Sequence, residues 1–213
     1  MDRRDIFNRA CELYVTGGAE ALSMRRLASD LGVTAPALYR HYASKEQLLL
    51  DVVMEAFHRF SSYLTKALEG STPAERLYLS GEGHLNFALQ HPMLYEMLYI
   101  PAHALGLESY PEQLTSRVTS LSQFYADRVR ECMEAGLLTM QDPCEVSFTL
   151  WGHAHGMVSI YLRGCHPMEE EQFRAAYWAS CRRVMQGIAT EAYTTAMNEI
   201  VAQTSVVAPA VSP

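Results

Sequence analysis

The amino-acid sequence predicts an all-α protein: a small N-terminal three-helix unit joined by a long helix to a larger helical domain. Three observations carry that prediction. Apolar residues recur three and four apart through nearly every segment, and no stretch alternates with the period of two that a half-buried strand requires. Gly and Pro fall where helices start or stop. The 213 residues, 49% hydrophobic and 19% charged, suffice for one large core or two small ones.

In 2–16, Ile6, Phe7, Ala10, Leu13 and Tyr14 share one stripe, and Gly17-Gly18 marks its expected end. Ser23 is a good N-cap for a second helix carrying Leu27, Ala28 and Leu31, stopped by Gly32. Thr34 opens a third, short helix to about His41, with Pro36 in its first turn, where a missing N–H costs nothing. Ser44 begins a fourth, and Gln47 three residues on completes a capping box. Its stripe of Leu48, Val52, Ala56, Phe60, Leu64 and Ala67 runs on to Gly70, roughly 37 Å at 1.5 Å per residue. A helix that long projects beyond a small head and joins it to the rest of the chain.

The second half is punctuated by Pro73, Pro92, Pro101, Pro111, Pro143 and Pro167. Asp142-Pro143 with Glu145 is a strong start signal for a helix to Gly164, and another is expected over about 168–190, reaching toward Val201. The uncharged 204–213, rich in Ala, Val and Pro, is expected to be disordered. The chain thus divides into a head, 1–50, a body, 51–203, and a tail, 204–213.

The net charge of −7 excludes a generally cationic, histone-like binder, but the charge is uneven. Residues 1–45 hold seven basic groups against five acidic ones, a local +2, and the remainder carries −9. A basic head on an acidic body suits a protein whose head alone meets a polyanion. No apolar run approaches the roughly 20 residues of a membrane span, and the opening residues form no signal-peptide core, so a cytoplasmic protein is expected. Five widely spaced cysteines without a CxxC point to reduced thiols rather than a disulfide framework or a zinc ribbon. His153 and His155, two apart on a helix, diverge by about 200° and cannot share an ion, and Cys165-His166 lacks a spaced partner. With no Ser–His–Asp or paired-carboxylate set recognisable from spacing, neither catalysis, metal nor cofactor is expected.

The three helices of 5–41, with a three-to-four-residue turn between the second and third, have helix-turn-helix spacing over about 23–42. The string Leu27-Ala28, Leu31-Gly32-Val33, Leu38-Tyr39-Arg40-His41-Tyr42, Lys45 and Leu48-Leu49, preceded by Arg25, resembles the DNA-binding domain of TetR-type transcriptional regulators. It departs mildly at Tyr42, where Phe is usual. The likeness covers about residues 5–55 and implies a DNA-binding role. Thr34, Ala35 and Ala37 match positions that face the major groove; Thr34 would bond a base or phosphate, and the alanine methyls suit thymine. Tyr39 and His41 match positions that meet the sugar-phosphate backbone, Lys45 the phosphate-binding lysine, and Arg25 with Arg26 further phosphate contacts. Arg40 enters on chemistry alone, as a donor to guanine O6 and N7. Tyr39 could instead pack in the three-helix core, His41 could cap its helix end, and Arg40 could be a solvated surface charge.

A head of +2 makes few phosphate contacts, so a homodimer on a near-palindromic operator is expected. Its pairing surface is expected in the last two long helices, where Gly152, His155, Gly156 and Ser159, and then Ala175, Ala176, Ala179, Ser180 and Val184, form small-residue stripes; packing within one subunit explains them equally well. Leu150-Trp151-Gly152-His153-Ala154-His155-Gly156 resembles the Trp-His-Gly segment of one branch of TetR-type C-terminal domains. The body is rich in aromatic and thioether side chains, and Met93, Met97, Phe124, Phe148, Trp151 and Tyr161 are expected to line a pocket for a hydrophobic or aromatic effector. The combined reading is a ligand-responsive transcriptional regulator, a repressor released from DNA by that effector. The alternative is a helical small-molecule-binding or protein-interaction module without specific DNA binding.

Overall fold

The computed structural model describes residues 2–207, and among them the protein is all-α. The chain forms two compact units. The first gathers the chain up to Ser62 together with Phe87–Val118, and the second takes Tyr63–Asn86 with the chain from Thr119 onward. The first unit therefore includes a segment, 87–118, that the sequence assigns to the body.

The first unit is built from α1 (Arg3–Ala21), α2 (Met24–Asp30), α3 (Ala35–Tyr39), most of α4 (Lys45–Thr65) and the short α6 (Pro92–Met97), which packs on α1. Asp2 caps α1 in a reciprocal box with Asp5. Ile6, Ala10 and Leu13 of α1, Leu27 of α2, Leu38 of α3 and Leu48 and Val52 of α4 are fully buried. All of these but Leu38 are positions that the helical stripes marked. Gly17-Gly18 does not end the first helix, which continues to Ala21. Glycine inside a helix costs about 1 kcal/mol relative to alanine but does not forbid it. The added turn carries the chain to Leu22, which is buried.

The second unit contains most of α5 (Pro73–Gln90), most of α7 (Glu112–Glu134), α8 (Pro143–Leu162), α9 (Glu170–Met185) and α10 (Glu191–Val207). Asp142 caps α8 through the N–H groups of Cys144 and Glu145, as its sequence signal requires. The long helix after Ser44 ends in a 3-10 turn, Lys66–Glu69. The helix expected over about 168–190 ends at Met185, and the stretch toward Val201 is a separate helix, α10. Between them the Thr139 N–H donates to the Ile188 carbonyl (2.9 Å) and the Thr190 N–H to the Leu137 carbonyl (3.0 Å), so this backbone bonds to the 137–139 turn and not to a helix. The expected disordered tail is helical as far as Val207, and its remainder, 208–213, lies outside the described residues. No helix among the described residues is long and apolar enough to cross a membrane.

Candidate nucleic-acid interface and ligand cavity

The turn between α2 and α3 closes through its backbone. The Val33 N–H donates to the Ala28 carbonyl (2.9 Å) and the Gly32 N–H to the Ser29 carbonyl (3.1 Å), the doubly bonded helix end that needs a left-handed residue. Gly32 supplies it, with φ of 66°. Ser23 Oγ accepts from the Arg26 N–H at 3.2 Å and fixes the start of α2. Thr34 precedes α3 without using its side chain as a cap, leaving an exposed hydroxyl.

With α3 only five residues long, one inward anchor sets its rotation. Leu38 is fully buried, and Tyr39 is consequently 52% exposed. Arg40 and His41 are exposed, and Ala35 and Ala37 half-buried. Tyr39 is thus not a core residue; Tyr42 is. Its hydroxyl accepts from Arg3 Nε (3.1 Å), the Arg3 guanidinium lies 4.9 Å from its ring centre, and Arg3 also pairs with Asp51. Arg9 pairs with Asp30 and Glu12, both at 2.6 Å. Two of the head's basic groups therefore serve internal pairs. Arg25, Arg26 and Arg40 are exposed and form no ion pair among the described residues. Lys45, half-buried, opens α4, where the Gln47 N–H donates to Ser44 Oγ (3.2 Å) and the Gln47 side chain accepts from the Ala43 N–H (2.8 Å). Every head residue expected to meet DNA retains exposed surface.

The second unit holds a cavity of about 90 Å³, partly open to solvent, among α5, α7, α8, α9 and α10. Tyr78 and Trp178 pack with ring centres 4.6 Å apart, and Tyr177 meets Trp178 edge-on at 5.3 Å. Gly81 lets Trp178 approach, since a Cβ there would lie 2.8 Å from the indole ring. Glu82 fixes both rings by accepting from Trp178 Nε1 (2.9 Å) and the Tyr78 hydroxyl (3.3 Å). The polar groups of the wall are mainly histidines, tyrosines and serines. His84 is 2% exposed, with Nδ1 3.2 Å from the Tyr125 hydroxyl, and burial, helped by the nearby His155, pushes its pKa down to about 3. The imidazole is neutral at physiological pH. Burial also lowers His153, whose Nε2 is buried without a hydrogen-bond partner among the described residues. The Cys181 thiol is pushed up to about 11 by burial and is no thiolate.

Of the six residues expected to line a pocket, the structure brings one, Trp151, to this cavity. Phe148 is 69% exposed; Phe124 lies under the Arg128 guanidinium; Tyr161 stacks on Phe173 at 4.0 Å. Met93 and Met97 belong to the first unit, the former at the surface and the latter fully buried. The wall residues that the sequence reading missed include His84, Tyr78 and Trp178. A faint signal was present: Tyr78, Gly81 and His84 recur three apart, setting a glycine between an aromatic ring and an imidazole on one helix face.

On α8, Gly152 and Gly156 face open space, since a Cβ at either would meet nothing within 4 Å. Phe148 and Ile160 of the same helix are 69% and 51% exposed. These two glycines therefore do not serve packing inside the subunit. Among the described residues no three His, Cys, Asp or Glu side chains are placed to hold an ion.

Two family models match the chain. The one for bacterial regulatory proteins of the tetR family covers residues 6–52, and the one for a tetracyclin repressor-like C-terminal domain covers 77–185. The HTH-type transcriptional repressor KstR of Mycolicibacterium smegmatis is 35% identical over 98 residues, 45% of this chain; the match spans only 48% of that protein's length. The nucleoid occlusion factor SlmA of Vibrio atlanticus is 26% identical over 78% of this chain and 86% of its own. Among solved structures, the ketosteroid transcriptional regulator KstR2 of Mycobacterium tuberculosis shares the fold, with a TM-score of 0.73 at 19% identity, covering 89% of this chain and 95% of that one.

Proposed function

The chain belongs to the TetR family of DNA-binding transcriptional regulators, and from that premise we propose that it is a repressor. It binds a near-palindromic operator as a homodimer and leaves it when a hydrophobic or aromatic small molecule enters the cavity of the second unit. The observation that carries this reading is the rotation of α3, whose buried Leu38 leaves Tyr39, Arg40 and His41 exposed beside the exposed hydroxyl of Thr34. Ala35 and Ala37 approach base edges, Arg25, Arg26, Tyr39, His41 and Lys45 meet phosphates, and Arg40 donates to guanine. Repression, as opposed to activation, is favoured by the likeness to KstR.

Pairing of two chains places two recognition helices about 34–36 Å apart, one turn of duplex. The stripe of Phe148, Gly152, Gly156 and Ile160 on α8 supports a self-complementary contact there, because small residues let a partner helix come close to an exposed apolar face. Such a repressor acts in the cytoplasm, within reach of the chromosome.

Release follows from two neighbouring features of α5. The helix supplies Tyr78, Gly81 and His84 to the cavity wall, and its Gly83 abuts the backbone of Tyr63 at the end of α4. A guest that displaces α5 displaces that end of α4, whose other end carries Lys45. Binding tenfold tighter to the displaced state shifts the balance by about 1.4 kcal/mol. The test is a mobility shift of duplex from the gene's own upstream region, with and without aromatic compounds. A retarded complex that a compound dissolves is expected; binding no tighter than to random duplex would overturn the proposal in favour of a helical binding module without DNA specificity.

A further inference from the structure

We infer that the effector is a small, uncharged aromatic compound carrying one hydroxyl or carbonyl group, and that this group pairs with Nε2 of His153. The inference rests on the cavity being the effector site, as proposed above, and four properties of the cavity point the same way.

The first is size: about 90 Å³ is on the order of the space that takes a single aromatic ring. The second is the wall. Tyr78 and Trp178 are held by their shared hydrogen-bond acceptor, Glu82, so their rings are set before any guest arrives. Rings fixed in advance lose little freedom on binding and favour a planar, stacking guest. The third is charge. No Asp, Glu, Lys or Arg side chain lines the cavity among the described residues, and the two imidazoles on its wall are disfavoured as cations by burial. A carboxylate or ammonium guest would give up its hydration with no counter-ion to replace it.

The fourth property sets the count of polar groups on the guest. Buried polar atoms are almost always paired, and the exceptions call for an explanation. His153 Nε2 is the buried side-chain nitrogen of this wall that has no partner among the described residues. A neutral imidazole nitrogen pairs with a hydroxyl in either tautomer and with a carbonyl in one. One ring and one such group therefore satisfy both the shape and the chemistry of the space.

Both tryptophans of the chain, Trp151 and Trp178, line the cavity, so intrinsic fluorescence reports its occupancy. The full-length protein is titrated with phenol, toluene and benzoate, which share a ring and differ in one substituent. Phenol is expected to give a saturable change with roughly tenfold higher affinity than toluene, the worth of one made hydrogen bond, and benzoate none. His153→Phe is expected to abolish the preference, so that phenol and toluene bind with equal affinity. The wild-type comparison needs no variant and stands even if His153→Phe misfolds. Equal binding of phenol and toluene, or benzoate binding as tightly as phenol, overturns the assignment while leaving the cavity as effector site. A saturable change from none of the three overturns the cavity reading itself.

Discussion

Gly83 stands directly against Tyr63: a Cβ on Gly83 would lie 2.6 Å from the Tyr63 carbonyl oxygen and 3.1 Å from its carbonyl carbon. Both are backbone atoms, so no rotamer change relieves the contact, and α5 must part from the end of α4 to admit even a methyl group. Gly83→Ala is expected to destabilise the protein by about 1–3 kcal/mol, the usual cost of overpacking. A lower urea midpoint at unchanged slope would show it. The same variant should bind operator with altered affinity at protein concentrations where it remains folded, because the parted helix is the one that begins at Lys45.

Lys45→Ala should weaken binding to every duplex by a similar factor and reduce the slope of log affinity against log salt by about one, as the loss of one phosphate contact requires. Arg3→Ala removes an equal charge from the same head, but its guanidinium is already engaged by Asp51 and Tyr42. Its salt slope should stay where it is, with a stability cost of under about 1 kcal/mol. Titrations at several salt concentrations separate the two.

His84 makes folding sensitive to acid. Its pKa is about 3 in the folded protein, against an ordinary value of 6.5. Between these values the unfolded chain binds a proton that the folded one refuses, so stability is fully present above about pH 6.5 and falls as pH drops. Burial holds His153 below its ordinary value too, which acts in the same direction. From about pH 7 to about pH 5 the His84 contribution is about 2 kcal/mol. His84→Gln should show a correspondingly shallower loss over that interval, measured by urea unfolding at each pH, whatever its absolute stability.

Phe148→Glu tests the pairing surface. With 69% of its surface exposed, Phe148 contributes little to the fold of one subunit, so the variant should keep its helical circular dichroism, and its unfolding midpoint should fall only by what pairing contributes. A charge set into an apolar contact between two copies should split them, and sedimentation should report the mass of a single chain. Operator affinity should fall with it, since each half would bind alone. A variant that sediments as the wild type would place the pairing surface elsewhere.

The helix-turn-helix was readable because its determinants are local. Ser23, Gly32 and Pro36 each act on backbone groups within about four residues, and the stripes of α1 and α4 needed only the helical period. Gly17-Gly18 misled because a glycine pair permits a helix end without requiring one, and burial of Leu22 one turn later decided the matter. Tyr39 and Tyr42 show the limit at closer range. Two tyrosines three apart look alike in sequence, and the seat of Leu38 in the core together with the grip of Arg3 turned one out and the other in.

By itself the amino-acid order determined the helical class, the helix-turn-helix with its candidate DNA contacts, and the family to which the chain belongs, since all three are written in short-range spacing and residue type. The folded structure alone decided which side chains share the cavity. Its wall draws on residues from Leu77 to Met197, brought together by the faces that α5, α7, α8, α9 and α10 turn to one another. A periodic stripe says that a helix has an apolar face, but not which neighbour covers it; hence Trp151 was found in advance, and His84, Tyr78 and Trp178 emerged only once the helices had packed.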